Sequence, residues 1–139
     1  MTNKITPYLL LADDDPDDQE LLAHSFLERN PTAEIRYFSD GRDVLTFLNH
    51  CPTNELPVVM LLDYKMPIVT GGEVLAAIKD NPRLKEIPKF VWSTSNNTQY
   101  SEECLKRGAL EYFVKPSDVA HMEEIVACLT RIFRLRSSA

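Results

Sequence analysis

The sequence predicts an α/β fold in which an open parallel sheet is covered by helices on both faces. Three observations carry that expectation. Short apolar runs recur along the chain, and stretches with helical spacing of apolar residues lie between them in strict alternation. That is the pattern of parallel strands joined by right-handed crossovers. One run, Val58-Val59-Met60-Leu61-Leu62, is apolar without interruption, which fits a strand buried on both faces. Four of the runs also end in unusual polar residues, as strands do where their carboxyl ends meet water.

The elements follow in order. Tyr8-Leu9-Leu10-Leu11-Ala12 reads as the first strand and stops at Asp13-Asp14-Asp15. Asp15 can cap the next helix, Pro16 suits its first position, and Asp17 and Asp18 favour its positive end. Asp15, Asp17 and Asp18 are expected to do only that. Leu21, Leu22, Phe26 and Arg29 keep the helical period until Asn30-Pro31 ends it. Glu34 to Ser39 is a second, more polar strand that suits a sheet edge. Asp40-Gly41 opens a second helix carrying Val44, Leu45, Phe47 and Leu48, which ends before Pro52.

A polar connection from Pro52 to Pro57 leads into the third strand, Val58 to Leu62, with Asp63 where it ends. Thr70 and Glu73 have capping-box spacing for a third helix, whose apolar stripe is Val74, Leu75 and Ile78. Asn81-Pro82 stops it. Lys89 to Trp92 is the fourth strand, running into Ser93-Thr94-Ser95. A fourth helix covers Thr98 to Arg107, with Gly108 as its stop. Glu111 to Val114 is the fifth strand, ended by Lys115-Pro116. Ser117 can cap the last helix, which buries Val119, Met122, Ile125, Val126, Leu129, Ile132 and Phe133.

Composition excludes several classes. With 139 residues, 44% hydrophobic and 26% charged, the chain reads as one soluble domain. A net charge of −6 argues against nucleic acid as a primary partner. Cys51, Cys104 and Cys128 lack CxxC spacing and read as incidental reduced thiols. No signal peptide is expected, and no stretch approaches the ~20 apolar residues of a membrane span. A cytoplasmic protein without membrane attachment is expected.

The strand ends carry the chemistry. Asp13 and Asp14 follow the first strand, Asp63 the third, Ser93 the fourth and Lys115 the fifth. In a parallel sheet these ends share one rim, so residues far apart in sequence gather in one shallow cleft. Clustered carboxylates there repel one another unless a cation sits among them. A hard divalent ion such as Mg²⁺ suits one or two carboxylates plus a phosphate. Lys115 could hold a carboxylate and then a phosphoryl oxygen, and Ser93 is a small neutral donor. Such a set supports phosphoryl transfer to a carboxylate nucleophile, Asp63, because that chemistry depends on positioning and charge neutralisation. Singly, each residue has a plainer role as a cap, a turn or a loop. Found one per strand end, the plain explanations would all have to hold at once.

At these residues the sequence resembles a known family. Asp13-Asp14, Asp63 within Leu-Asp-Tyr-Lys-Met-Pro, Gly71 past the loop, Ser93 and Lys115-Pro116 are similar to the receiver domain of two-component response regulators. The resemblance covers essentially the whole chain in the right order. It implies a flavodoxin-like three-layer sandwich, with five helices flanking five strands in the order 2-1-3-4-5. It also implies Mg²⁺-dependent phosphoryl transfer to Asp63 from a sensor histidine kinase or a histidine phosphotransfer protein, and a conformational switch read through protein contacts.

By position, Asp14 and Asp63 would bind Mg²⁺ directly, with the backbone carbonyl of Lys65, and Asp13 through a metal-bound water. Lys115 would contact the phosphoryl group. Ser93 matches the switch hydroxyl and Tyr112 the aromatic that follows its movement. Lys65, Thr94 and Ser95 fall at or beside positions that tune the lifetime of the aspartyl phosphate. A cationic Lys65 and a short Ser95 would place an attacking water poorly, so slow autodephosphorylation is expected. Ser117 stands where many members carry an aromatic.

Rival readings lack residues they need. A haloacid-dehalogenase-type phosphatase requires an aspartate where Lys65 stands. A flavin protein of the same topology requires a hydroxyl- and glycine-rich first loop, where Asp13-Asp14-Asp15 would repel the flavin phosphate. Neither GxxxxGK[ST] nor GxGxxG is present. The alternative from another class is a receiver-like interaction module that works without phosphorylation; the acidic pair, Asp63, Ser93 and Lys115 argue against it. The chain is expected to be one receiver domain over residues 1–139 (core 7–135), with no output domain. It would catalyse only its own aspartyl phosphorylation and dephosphorylation. A homodimer partner or downstream target would use the face of the fourth helix, fifth strand and fifth helix.

Overall fold

The computed structural model describes residues 5–137; residues 1–4 and 138–139, on which part of the expectation about a signal peptide falls, lie outside the described residues. The strands are β1 Tyr8–Ala12, β2 Glu34–Phe38, β3 Val59–Asp63, β4 Lys89–Ser93 and β5 Tyr112–Val114. The helices are α1 Pro16–Arg29, α2 Gly41–His50, α3 Gly71–Ile78, α4 Thr98–Lys106 and α5 Val119–Ser137. All strand pairs are parallel, in the order β2-β1-β3-β4-β5. The expected fold class and strand order are therefore those observed.

The period-two alternation of each strand divides its side chains between two cores. Leu10, Met60, Leu62 and Val91 pack with Val44 and Leu48 of α2, Val74 and Leu75 of α3, and Cys104 of α4. Leu9, Leu11, Leu61, Phe90 and Trp92 pack instead with Leu22 and Phe26 of α1 and with Ile125, Val126, Leu129 and Phe133 of α5. Every residue of β1, β3 and β4 is buried, whereas β2, at the edge, has no buried position. Truncating a fully buried residue such as Leu61 to Ala would cost about 2–5 kcal/mol.

The caps follow the sequence closely. Asp15 accepts from the Asp17 and Asp18 amides, Asp40 from Asp43, and Thr70 and Glu73 form a reciprocal capping box. Gly108 closes α4 at φ 99°, a conformation that favours glycine.

Several expectations need correction. Asp118, not Ser117, caps α5, its carboxylate accepting the His121 amide at 2.8 Å. A carboxylate there also suits the helix dipole. Val119 is 76% exposed, because at the first helical position no preceding turn lies beneath its side chain. Leu21 is also exposed, one residue round α1 from the buried Leu22. β3 runs from Val59 to Asp63, so Asp63 is the last residue of the strand. The polar connection before it contains a short 3-10 turn, Thr53–Glu55.

Candidate functional site

Two central strands carry the acidic residues to one place. Leu62 of β3 is paired with Ala12 of β1, so Asp13 and Asp63 emerge side by side. The Asp13 amide donates to Phe38 O at 2.9 Å, and the Gln19 side chain donates to both Asp13 O and Phe38 O. Behind Asp63, α3 begins so close that a Cβ at Gly71 would overlap the Asp63 carbonyl. Glycine is required there by close approach.

Lys115, just past β5, reaches back across the rim. Its Nζ lies 2.9 Å from Asp13 Oδ2, 2.9 Å from Asp18 Oδ2 and 3.3 Å from Asp63 Oδ2. The contacts with Asp18 and Asp63 are hydrogen bonds. The contact with Asp13 is an ion pair without hydrogen-bond alignment, so the buried Asp13 Oδ2 has no hydrogen-bond partner. Asp13 is fully buried and Asp63 is 4% exposed, while Asp14 faces solvent.

Charge and burial shape their titration. Burial, and then the neighbouring Asp13 carboxylate, push the Asp63 carboxyl up to about 7 against the pull of Lys115. Burial also raises Asp13. For Lys115 burial acts downward, but Asp18, Asp13 and Asp63 together outweigh it and hold the ammonium firmly charged.

Ser93, the last residue of β4, is buried; its Oγ accepts the Ser95 amide at 3.2 Å, and its carbonyl accepts the Lys115 amide at 2.7 Å. It therefore joins the rim beside Lys115. Tyr112 donates its hydroxyl to Ser95 O at 2.7 Å, holding the β4–α4 loop rather than the carboxylates. Burial raises its phenol. Lys65 is exposed; its amide donates to Asp63 Oδ1 at 3.3 Å, and its ammonium lies 5.8 Å from the Tyr100 ring centre. Thr94 is exposed on the same loop as Ser95.

The sequence reading missed several participants. Asp18 does more than favour the helix end, since it pairs with Lys115. Tyr64, beside the nucleophile candidate, stacks on Tyr100 of α4 at 4.4 Å and donates to Glu103, which pairs with Arg107. No periodicity points to that bridge.

Asp13, Asp14 and Asp63 each offer a carboxylate oxygen, and these atoms lie within 4.8 Å of one another. An all-oxygen set with two buried carboxylates and one exposed carboxylate fits a hard divalent cation. The described residues contain no helix long and apolar enough to cross a membrane. Cys51, Cys104 and Cys128 are free.

The family model described as the response regulator receiver domain matches residues 9–127. The two-component response regulator ORR5 of Oryza sativa subsp. japonica is 31% identical over 119 residues, which is 84% of this chain and 85% of that protein. Among solved structures, the phosphorylated cyanobacterial phytochrome response regulator RcpA is similar with a TM-score of 0.83 at 26% identity, covering 97% of both chains. The Mn²⁺-bound form of response regulator Rcp1 is similar with a TM-score of 0.74 at 29% identity, over 88% of this chain and 91% of that one.

Proposed function

We propose that this chain, which belongs to the response regulator receiver domain family, stores a signal as a phosphoryl group on Asp63. Proteins of two-component systems work with histidine kinases or phosphotransfer proteins, and the phosphodonor here would be a phosphohistidine on one of these. An Asp63 oxygen attacks phosphorus, the new O–P bond forms as the P–N bond breaks, and the imidazole leaves with the electron pair. The observation that carries the reading is the juxtaposition of Asp63, Asp13, Asp14 and Lys115 on one rim.

Receiver domains in general take a divalent metal. Asp14, Asp63 and the Lys65 carbonyl would hold Mg²⁺, with Asp13 acting through a water. When bound, the ion neutralises charge on the carboxylates and on the phosphoryl oxygens. The chain's own residues do the rest. Lys115 offers its ammonium to a phosphoryl oxygen, and burial around Asp63 keeps bulk water away from the acyl phosphate. The Ser93 hydroxyl is drawn towards the phosphoryl group, and Tyr112 follows the β4–α4 loop it already holds. The exposed Lys65 and the short Ser95 favour slow hydrolysis.

This receiver domain would be cytoplasmic and would catalyse only its own phosphorylation and dephosphorylation. A downstream protein, or a second copy, would read it through α4, β5 and α5. Incubation with acetyl phosphate and Mg²⁺ should add one phosphoryl group by intact mass, and Asp63→Asn should abolish the addition. A wild-type chain that stays unmodified, with acetyl phosphate and with histidine kinases, would sink the proposal.

A further inference from the structure

We propose that Asp18 is a positioning residue that holds Lys115 in its resting place and thereby opposes formation of the phosphorylated state. The inference rests on the assignment of Asp63 as phosphoacceptor. Asp18 belongs to the first turn of α1, where its carboxylate is not needed as the cap, because Asp15 already accepts from the Asp17 and Asp18 amides. Its side chain instead turns to Lys115, and the two meet at 2.9 Å.

The competition is visible in the distances. The Lys115 ammonium donates at 2.9 Å to Asp18 but at 3.3 Å to Asp63. Of these two hydrogen bonds the shorter lies on the α1 side, away from the acid that receives the phosphoryl group, and Asp13 stands as close to the ammonium as Asp18 does. For Lys115 to engage a phosphoryl oxygen, it must loosen or stretch the Asp18 pair. Asp18 also places a third carboxylate around one cation, so its charge repels an arriving dianion. Both effects act in one direction. Lys115 is 9% exposed and Asp18 28% at the side chain, so solvent screens this pair less than a surface one.

The neighbouring Asp17 is the built-in control. It has the same charge, one residue away, but it faces solvent, and no ion pair with Lys115 is found for it. An effect of acidity alone would appear equally in both variants. An effect of the Lys115 contact would appear only in one.

The test measures beryllofluoride affinity by titration calorimetry at saturating Mg²⁺, together with the rate of phosphorylation by acetyl phosphate. Asp18→Asn should tighten beryllofluoride binding about fivefold, in line with losing one partly buried ion pair, and should speed phosphorylation. Asp18→Glu, which keeps the charge, should return towards wild type, and Asp17→Asn should stay within about twofold of it. A merely structural role for Asp18 would lower the melting temperature without raising affinity. Unchanged or weaker binding in Asp18→Asn overturns the inference, and so does equal tightening in Asp17→Asn. A wild-type chain that neither binds beryllofluoride nor accepts phosphate overturns the phosphoacceptor assignment, and this inference with it.

Discussion

Two lysines with largely buried side chains sit at opposite ends of the sheet and are treated in opposite ways. Lys89, 3% exposed, opens β4 and donates its ammonium to the carbonyls of Lys85 and Ile87, both at 3.0 Å. Lys115, beyond the end of β5, stands among three carboxylates. Burial lowers Lys89, with only Glu86 acting against it, whereas the carboxylates keep Lys115 high despite burial. Carbonyls satisfy an ammonium's hydrogen bonds but bring no countercharge. Three carboxylates bring more countercharge than one ammonium can neutralise. One lysine closes a turn; the other leaves its end of the sheet with an excess of negative charge that a divalent cation could neutralise.

Replacing each lysine with Met separates the two ends most strongly. Lys115→Met leaves Asp13 and Asp63 buried without their cation, and at pH 8 without metal it should destabilise by on the order of 3 kcal/mol in denaturant melts. It should also weaken beryllofluoride binding by about 100-fold, the loss of one charge-assisted contact. Lys89→Met removes two hydrogen bonds but also a buried charge, so its stability should change by about 1 kcal/mol or less. Its beryllofluoride affinity should match wild type. Similar effects from the two substitutions would mean that the ends of the sheet do not differ as described.

The excess charge at the Lys115 end makes a second, smaller prediction. The Asp63 carboxyl stands at about 7 in the folded chain, above the ordinary value of about 4 that it regains on unfolding. The folded state thus holds this proton more tightly, so the contribution of Asp63 to stability is greatest below about 4 and is lost as pH rises to about 7. Asp63→Asn removes the ionisation, and at pH 8 without metal it should stabilise the fold by about 2 kcal/mol. The gain should vanish near pH 4 and shrink in Mg²⁺. A variant equally stable to wild type across that range would mean that Asp63 is not strained by its neighbours.

How far the sequence reveals this depends on the kind of information each feature needs. Asp13, Asp14, Asp63 and Lys115 were legible because a parallel sheet sends all its strand ends to one rim, and alternation alone supplies the strands. The same rule shows why Asp18 was not. Its role depends on the distance from the first turn of α1 to the end of β5, which is set by how two helices pack on one face. The Tyr64–Tyr100–Glu103 bridge likewise depends on the seat of α4, not on any spacing along it. Ser117 was misjudged as a cap for a more local reason. Serine and aspartate are both good caps, and the choice between adjacent residues was settled by the His121 amide and ring reaching Asp118.

The Lys115 end also holds backbone strain, whose relief carries a smaller effect. Ile68, in the loop after Asp63, has φ 69°, and the Val69 amide donates to Pro67 O at 2.7 Å across it. That hydrogen bond and that angle describe a three-residue turn of the strained hand, and a β-branched residue pays for the conformation with steric crowding. Its side chain recovers little by packing, since it is 62% exposed. Ile68→Gly should relieve on the order of 1–2 kcal/mol of strain and return about 0.4–1 kcal/mol through the freer unfolded chain. The net expectation is a stabilisation of up to about 1 kcal/mol. Ile68→Ala, which keeps a Cβ, should gain less. Destabilisation by Ile68→Gly would mean that the loop tolerates this turn without strain, and that the contrast between the two ends is one of charge alone.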